Sequence, residues 1–280
     1  MDDVTVVVAS RNRRDQLLRY LPRHEVPVIL VDNASEDGTA DAVSEAMPHV
    51  HVVRAHTNMG AAARNAGAEL AATPYVAFAD DDSYWEAGSL GKAATLLDVH
   101  PHVALLAAQV LVGADGRGDP ISAAMKAAPL GSPPDLPGPA VLGFLGCAAV
   151  VRRDAFLAVG GFNPTLHVYG EEALLAMDLA AAGWGLAYVP ALTVRHLPLP
   201  TGRDIEGRRR RQARNDLLTA WLRRPLPIGA AAARAAWRAG GPDRAGLGDA
   251  ARLLPWALRN RRLLPDHVEA SVRMLAGAHA

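Results

Sequence analysis

The strongest constraint on the fold is an alternation. Four short apolar runs rich in β-branched residues, "VTVVVAS" (4–10), "VILVD" (28–32), "HVHVVR" (49–54) and "YVAFAD" (75–80), are separated by stretches with helical spacing, such as "RRDQLLRYLPRH" with Leu17, Leu18 and Leu21. Runs of that kind are strands buried on both faces. Their order with the intervening helices, β-α-β-α-β-α-β, implies a doubly wound, mostly parallel α/β sheet with right-handed crossovers. Ser35 or Asp37 is placed to cap the second helix. In such a sheet the ligand crevice lies at the carboxyl ends of the strands. Those ends read Ser10-Arg11-Asn12-Arg13, Asp32-Asn33-Ala34-Ser35, Asn58-Met59-Gly60 and Asp80-Asp81-Asp82, so the polar chemistry of the first half gathers on one edge.

Downstream, "VALLAAQVLV" reads as a strand ending at the turn "GADGRGD", and "APLGSPPDLPGPA" is a loop by its Pro and Gly content. "FLGCAAVVRRDAFLAVGGF" reads as strand, turn and short helix. "YGEEALLAMDLAAAGWGLAYVPALTVRH" opens with acids, runs through an apolar helix to Gly183 and finishes in strands around "LAYVP" and "TVRH". From Asp204 on, helices dominate: "RQARNDLLTAWLRR", "GAAAARAAWRA", "DAARLLPWALRN" and "HVEASVRMLAG". Trp221, Trp237 and Trp256 sit there among apolar residues, as expected for packing onto the α/β part or onto another subunit of a homo-oligomer.

Charge divides the chain at the same place. Residues 1–200 hold 13 Lys and Arg against 22 acids, whereas residues 201–280 hold 16 Arg, no Lys and 7 acids. The expected organisation is therefore an α/β unit over 1–200, in halves of about 1–110 and 111–200, followed by a basic helical extension over 201–280. The start "MDDVTVVVAS" has acids where a secretory signal has Lys or Arg, and the longest apolar stretch, "GPAVLGFLGCAAVV", is shorter than a membrane span of roughly 20 residues. A cytoplasmic protein is expected, and the single Cys147 allows no internal disulfide.

Asp80, Asp81 and Asp82 follow directly on a buried strand, so their charge needs a partner. Oxygen-rich sites suit Mg²⁺ and Mn²⁺, which often bind through one or two carboxylates together with substrate phosphates. A divalent cation with a diphosphate is the expected partner.

At this point the residues resemble a family. "VVVASRNR", "VILVDNASEDGT", "NMGAAARNAGAELAATPYVAFADDDS", "GGFNPTLHVYGEE" and "LAAAGWGLAYVPALTVRH" occur in the order seen in family 2 glycosyltransferases of the GT-A fold, from about residue 3 to 197. The resemblance implies an inverting transferase that uses a nucleotide-diphosphate-sugar donor, a "DxD" metal motif and a later acidic base. By it, Asp32 with Asn33 meets the nucleotide base, and Ser10, Arg11 and Arg13 line the nucleotide pocket. Asn58, Gly60, Arg64 and Asn65 resemble "NxGxxxARN", here one residue shorter, with Arg64 on a phosphate or anchoring the acidic loop. Asp80 and Asp81 lie toward the donor, and Asp82 with Asp80 holds Mn²⁺ or Mg²⁺. Glu172 takes the place of the base, with Glu171 as runner-up. His196 resembles a late His that joins the metal or the phosphates. Leu174 and Asp178 depart from the usual pattern, in which Arg is common at position 178.

The run "GRRRRQAR" could meet an anionic membrane surface at the inner face or a lipid-diphosphate acceptor; no reading motif points to nucleic acid. The acceptor hydroxyl could belong to a natural product, a polysaccharide or a lipid carrier. Two rivals remain: a sugar nucleotidyltransferase, which would carry Gly in the loop after its first strand where "ASRNRRDQ" has none, and a catalytically inactive nucleotide- or sugar-binding protein of the same fold.

Overall fold

The computed structural model describes residues 3–199 and 204–277, so the expected boundary at residues 200 and 201 lies outside the described residues. One nine-stranded sheet forms from β1 (Val4–Ser10), β2 (Val28–Asp32), β3 (His51–Arg54), β4 (Tyr75–Ala79), β5 (Ser83–Trp85), β6 (Val103–Val112), β7 (Arg117–Gly118), β8 (Ala149–Arg152) and β9 (Gly185–His196). The order is β3-β2-β1-β4-β8-β6-β9-β5, with β7 beside β6. Six strands run one way, and β5, β7 and β8 run against them.

The helices are α1 (Arg14–Tyr20), α2 (Thr39–Ala46), α3 (Ala63–Leu70), α4 (Ser89–Val99), α5 (Pro120–Lys126), α6 (Arg153–Ala158), α7 (Glu171–Ala181), α8 (Ile205–Arg223), α9 (Leu226–Ala239), α10 (Gly241–Arg252), α11 (Leu254–Arg259) and α12 (Asp266–Gly277). The valine run of β1 shows why they lie on both faces. Successive side chains point to opposite sides of a strand. Val4, Val6 and Val8 therefore enter one apolar layer with Leu17 of α1, Val43 of α2 and Leu97 of α4. Val7 enters the other with Ala63 of α3, Phe156 of α6 and Leu175 of α7.

Three details differ from the sequence expectation. β8 inserts antiparallel between β4 and β6, a pairing that local periodicity does not encode. "LAYVP" and "TVRH" are one strand, β9, which absorbs a register shift against β6 near Gln109. "DAARLLPWALRN" breaks at Leu253, because Pro255 supplies no backbone N–H and starts the separate helix α11.

The C-terminal helices pack on α7. Leu217, Leu218, Trp221 and Leu222 of α8 form an apolar cluster with Leu174 and Leu166, and Val268 and Val272 of α12 cover Met177. Asp178 is explained here: Arg223 of α8 grips its carboxylate through two bonds of 2.5 and 2.9 Å. Trp221 packs as expected, whereas Trp237 is 60% exposed under the guanidinium of Arg244. The arginine run is largely engaged within the chain: Arg209 pairs with Asp243, Arg210 with Asp249 and Arg211 with Asp204. No helix among the described residues is long and apolar enough to cross a membrane.

Candidate active site

The turn from β4 to β5 makes the acidic cluster. The Asp80 amide donates to Ser83 Oγ at 2.8 Å, and Trp85 Nε1 donates back to the Phe78 carbonyl at 3.1 Å, so the chain reverses tightly around Asp80–Asp82. β5 pairs antiparallel with β9, and the register sets Ser83 opposite His196. That register brings His196 Nε2 to 3.3 Å from Asp82 Oδ1. Asp80, Asp82 and His196 each offer a ligand atom, and these atoms lie within 4.8 Å of one another.

Each acid of the cluster has a partner. Asp80 accepts from Arg64 at 2.5 Å. Asp81 accepts from Ser10 Oγ at 2.7 Å and lies 4.0 Å from Arg13 Nε. Burial, with the neighbouring Asp80 and Asp82 charges, pushes the Asp81 carboxyl up to about 6 despite the Ser10 bond. For His196, burial opposes charge, but Asp82 outweighs it and the imidazole is held above its ordinary value.

The ends of β1 and β2 sit side by side, with Ser10 in register with Asp32. Asp32 is buried, and its Oδ1 has no hydrogen-bond partner. Buried carboxylate oxygens are rarely left unbonded; this one is free to accept from a bound molecule. Asn33 is committed elsewhere: its Nδ2 donates to the Gly60 carbonyl at 3.1 Å and its Oδ1 accepts from the Met59 amide at 2.8 Å. Asn58 stays local, its Oδ1 accepting from the Gly60 amide at 3.0 Å. Gly60 has φ +61, and a Cβ there would collide with the His167 carbonyl, so only glycine permits this approach. Arg11 turns away to the Ala34 carbonyl and Glu36. Asn65 bonds both the amide and the carbonyl of Phe162, tying α3 to the segment before α7.

Glu171 and Glu172 open α7. Glu171 is 5% exposed, and its Oε2 is buried without a partner. Burial, together with the adjacent Glu172, pushes its carboxyl up to about 8. Burial also raises Glu172, whose carboxylate lies over Gly146. Arg64 stands between the two acidic groups. Its burial works against its charge, yet Asp80, Glu171 and Glu172 together keep it more firmly protonated than usual. Asp80, Asp82, His196, Arg64, Glu171 and Glu172 thus form one electrostatic unit, beside Ser10, Arg13, Asp81 and Asp32.

The model of glycosyl transferase family 2 matches residues 5–160. The chain belongs to that family. A pre-mycofactocin glycosyltransferase of Mycobacterium tuberculosis is 33% identical over 206 residues, covering 69% of this chain and 42% of the relative. The chain thus spans less than half the length of that relative. An N-acetylglucosaminyl-diphospho-decaprenol L-rhamnosyltransferase of the same organism is 29% identical over 245 residues, covering 73% of this chain and 80% of the relative. Among solved structures, the mannosyltransferase PcManGT from Pyrobaculum calidifontis in complex with GDP-Man and Mn²⁺ superposes with a TM-score of 0.60 at 23% identity, covering 98% of this chain and 86% of that one. The likeness in structure establishes a GT-A-like fold.

Within this family 2 chain, the supports of the site are only partly readable in the sequence. Ser83 lies inside a motif, and a serine closing a turn after three acids is a legible signal, whereas Gly146 lies outside the motifs. Asn215 and Arg214 of α8, which bond the loop before Glu171, carry no local signal.

Proposed function

We propose that this chain is an inverting glycosyltransferase that moves a sugar from a nucleotide-diphosphate-sugar donor to a hydroxyl acceptor with help from a divalent cation. The observation that carries the reading is the facing arrangement of a partnered carboxylate-imidazole triad, Asp80, Asp82 and His196, and an acid pair, the buried Glu171 with its unpartnered Oε2 and the part-buried Glu172, joined through Arg64. Two carboxylate oxygens and an imidazole nitrogen fit Mn²⁺ well and Mg²⁺ less well, since Mg²⁺ prefers oxygen alone. When bound, the cation supplies positive charge against the departing diphosphate.

The remaining steps fall to the chain. Asp32 Oδ1 accepts from the nucleotide base, and Ser10 and Arg13 hold Asp81 at the rim of that pocket. Burial raises both carboxyls of the acid pair, which makes the ionised form of either a stronger base than an exposed carboxylate. Glu172 takes the proton of the acceptor hydroxyl as its oxygen bonds to the anomeric carbon. On the opposite face the bond to the diphosphate breaks and its electrons leave with the phosphate. Residues 1–200 act as the catalytic unit and 201–280 as its helical extension. Relatives that bear the names of a mycofactocin precursor and a diphospho-decaprenol acceptor support small-molecule and lipid-carrier acceptors.

The test is donor turnover. With UDP-, GDP- and dTDP-sugars and Mn²⁺, one nucleotide class is expected to be consumed, with chelator-sensitive release of the diphosphate. Absence of turnover with every donor, while one nucleotide still binds, supports an inactive binding protein instead. Formation of a nucleotide sugar from a nucleoside triphosphate and a sugar phosphate points to the nucleotidyltransferase.

A further inference from the structure

We infer that Asn215 of α8 is a positioning residue for the acid pair, and that the C-terminal helices serve catalysis by bracing the loop that carries Glu171 and Glu172. The inference rests on the reading of Glu172 as the base.

The loop 165–170 is held in an unusual shape. His167 has φ +65 and Tyr169 φ +70, left-handed values that cost non-glycine residues energy and persist only where surroundings enforce them. The shape turns the carbonyls of Leu166, Val168 and Tyr169 toward one point. At that point lies the Asn215 amide nitrogen, wholly buried and 2.8, 3.0 and 2.7 Å from the three oxygens, its two hydrogens shared among them. Its orientation is fixed from behind, because Asn215 Oδ1 accepts from Arg214 at 2.8 Å while Arg214 also donates to the Thr165 carbonyl at 2.8 Å. The next residue, Gly170, has φ +91 and leads straight into Glu171 at the start of α7. The other side of the same loop meets the donor half, where the Ala61 amide donates to the His167 carbonyl at 2.7 Å. One amide in α8 thus sets the angle at which the acid pair enters α7 and holds it against the turn leading to Arg64. Arg223, bound to Asp178, locks the same two helices one stretch further on.

Two variants separate bracing from bulk stability. Asn215→Ala removes the donors, whereas Leu222→Ala removes packing from the same helix without touching the loop carbonyls. Catalysis is sensitive to displacement of about 1 Å, which can cost about 100-fold. In the full chain, Asn215→Ala is expected to lower kcat about 100-fold per folded molecule with donor KM within about twofold, and Leu222→Ala to keep kcat within about twofold. Equal kcat losses in both variants, or an unchanged kcat in Asn215→Ala, overturn the inference. Hydrogen exchange gives a readout that needs no substrate: the amides of Ala61 and of residues 168–172 are expected to exchange at least about tenfold faster in Asn215→Ala and not in Leu222→Ala. Unaltered exchange there refutes the brace even if no donor is turned over. Accelerated exchange in Asn215→Ala, together with full turnover by Glu172→Gln, keeps the brace and sinks the base assignment alone.

Discussion

Two groups of carboxylates face each other in this molecule, and the fold treats them in opposite ways. Asp80, Asp81 and Asp82 sit at a strand end, each beside a cation or a hydroxyl: Arg64, Ser10 with Arg13, and His196. Glu171 and Glu172 sit at a helix start, the first buried and the second part-buried, with no side-chain donor on Glu171 Oε2. The first arrangement sets a stabilising cation or hydroxyl beside every acid, although burial still raises Asp81, and suits a site that gathers cations and phosphates. The second withholds that stabilisation and so makes proton-seeking carboxyls, the property a general base needs. Local partners, more than residue type, separate the two roles.

The comparison is sharpest at Glu172. Glu172→Gln is expected to lower turnover by about 10²- to 10⁴-fold while leaving nucleotide binding unchanged, the range for losing a general base; retained turnover moves the role to Glu171. Arg64, which links the two groups, comes next. Removing one partner of a buried pair costs about 3–5 kcal/mol, and because the Asp80 side chain is 36% exposed, Arg64→Ala is expected to lose about 2–3 kcal/mol in urea unfolding. A loss under about 0.5 kcal/mol shows that the acids do not depend on it.

Glu171 gives the contrast a pH signature. Its folded-state value, about 8, lies above that of the unfolded chain, so between about pH 4.5 and 8 the unfolded chain releases a proton that the folded chain keeps. Stability therefore falls with rising pH through that window, by about 1.4 kcal/mol per unit for one proton. Glu171→Gln mimics the protonated acid and is expected to make that slope shallower, leaving the part that Glu172 contributes, and to be the more stable protein at pH 8. Matching slopes in the two proteins disprove the shift. The smallest effect is expected on the far side of α8: Arg210→Ala breaks an exposed pair with Asp249 and should cost under about 1 kcal/mol, leaving turnover intact.

The donor side is legible in the sequence because it is local. Periodicity gives β1, β2 and β4, and strand ends collect the polar residues, so the sequence by itself brings Ser10, Asp32 and Asp80–Asp82 to one edge. Asn33 and Arg11 share that edge, yet their side chains turn to backbone carbonyls and Glu36, a choice that residue type cannot reveal. His196 beside Asp82 depends on the pairing of β5 with β9, which only the family resemblance suggests. The acid pair is visible as a motif, but its environment is not. The bonds from Asn215 to the loop span 46 to 49 residues and end on backbone carbonyls, which leave no trace in side-chain patterns. The arginine run shows the same limit: its excess charge reads as a free basic face, whereas Asp243 and Asp249 of α10 meet two of its members.

The most direct test of the donor site is thermal unfolding with UDP, GDP and dTDP, each with and without Mn²⁺, in the wild-type chain and in Asp82→Ala. A ligand held only by the native state at about 100 times its Kd adds about 2.7 kcal/mol, a visible rise in Tm. The account predicts such a rise with one nucleotide, dependent on Mn²⁺ and lost in Asp82→Ala. No rise with any nucleotide, or one equally large without the metal and in the variant, contradicts it.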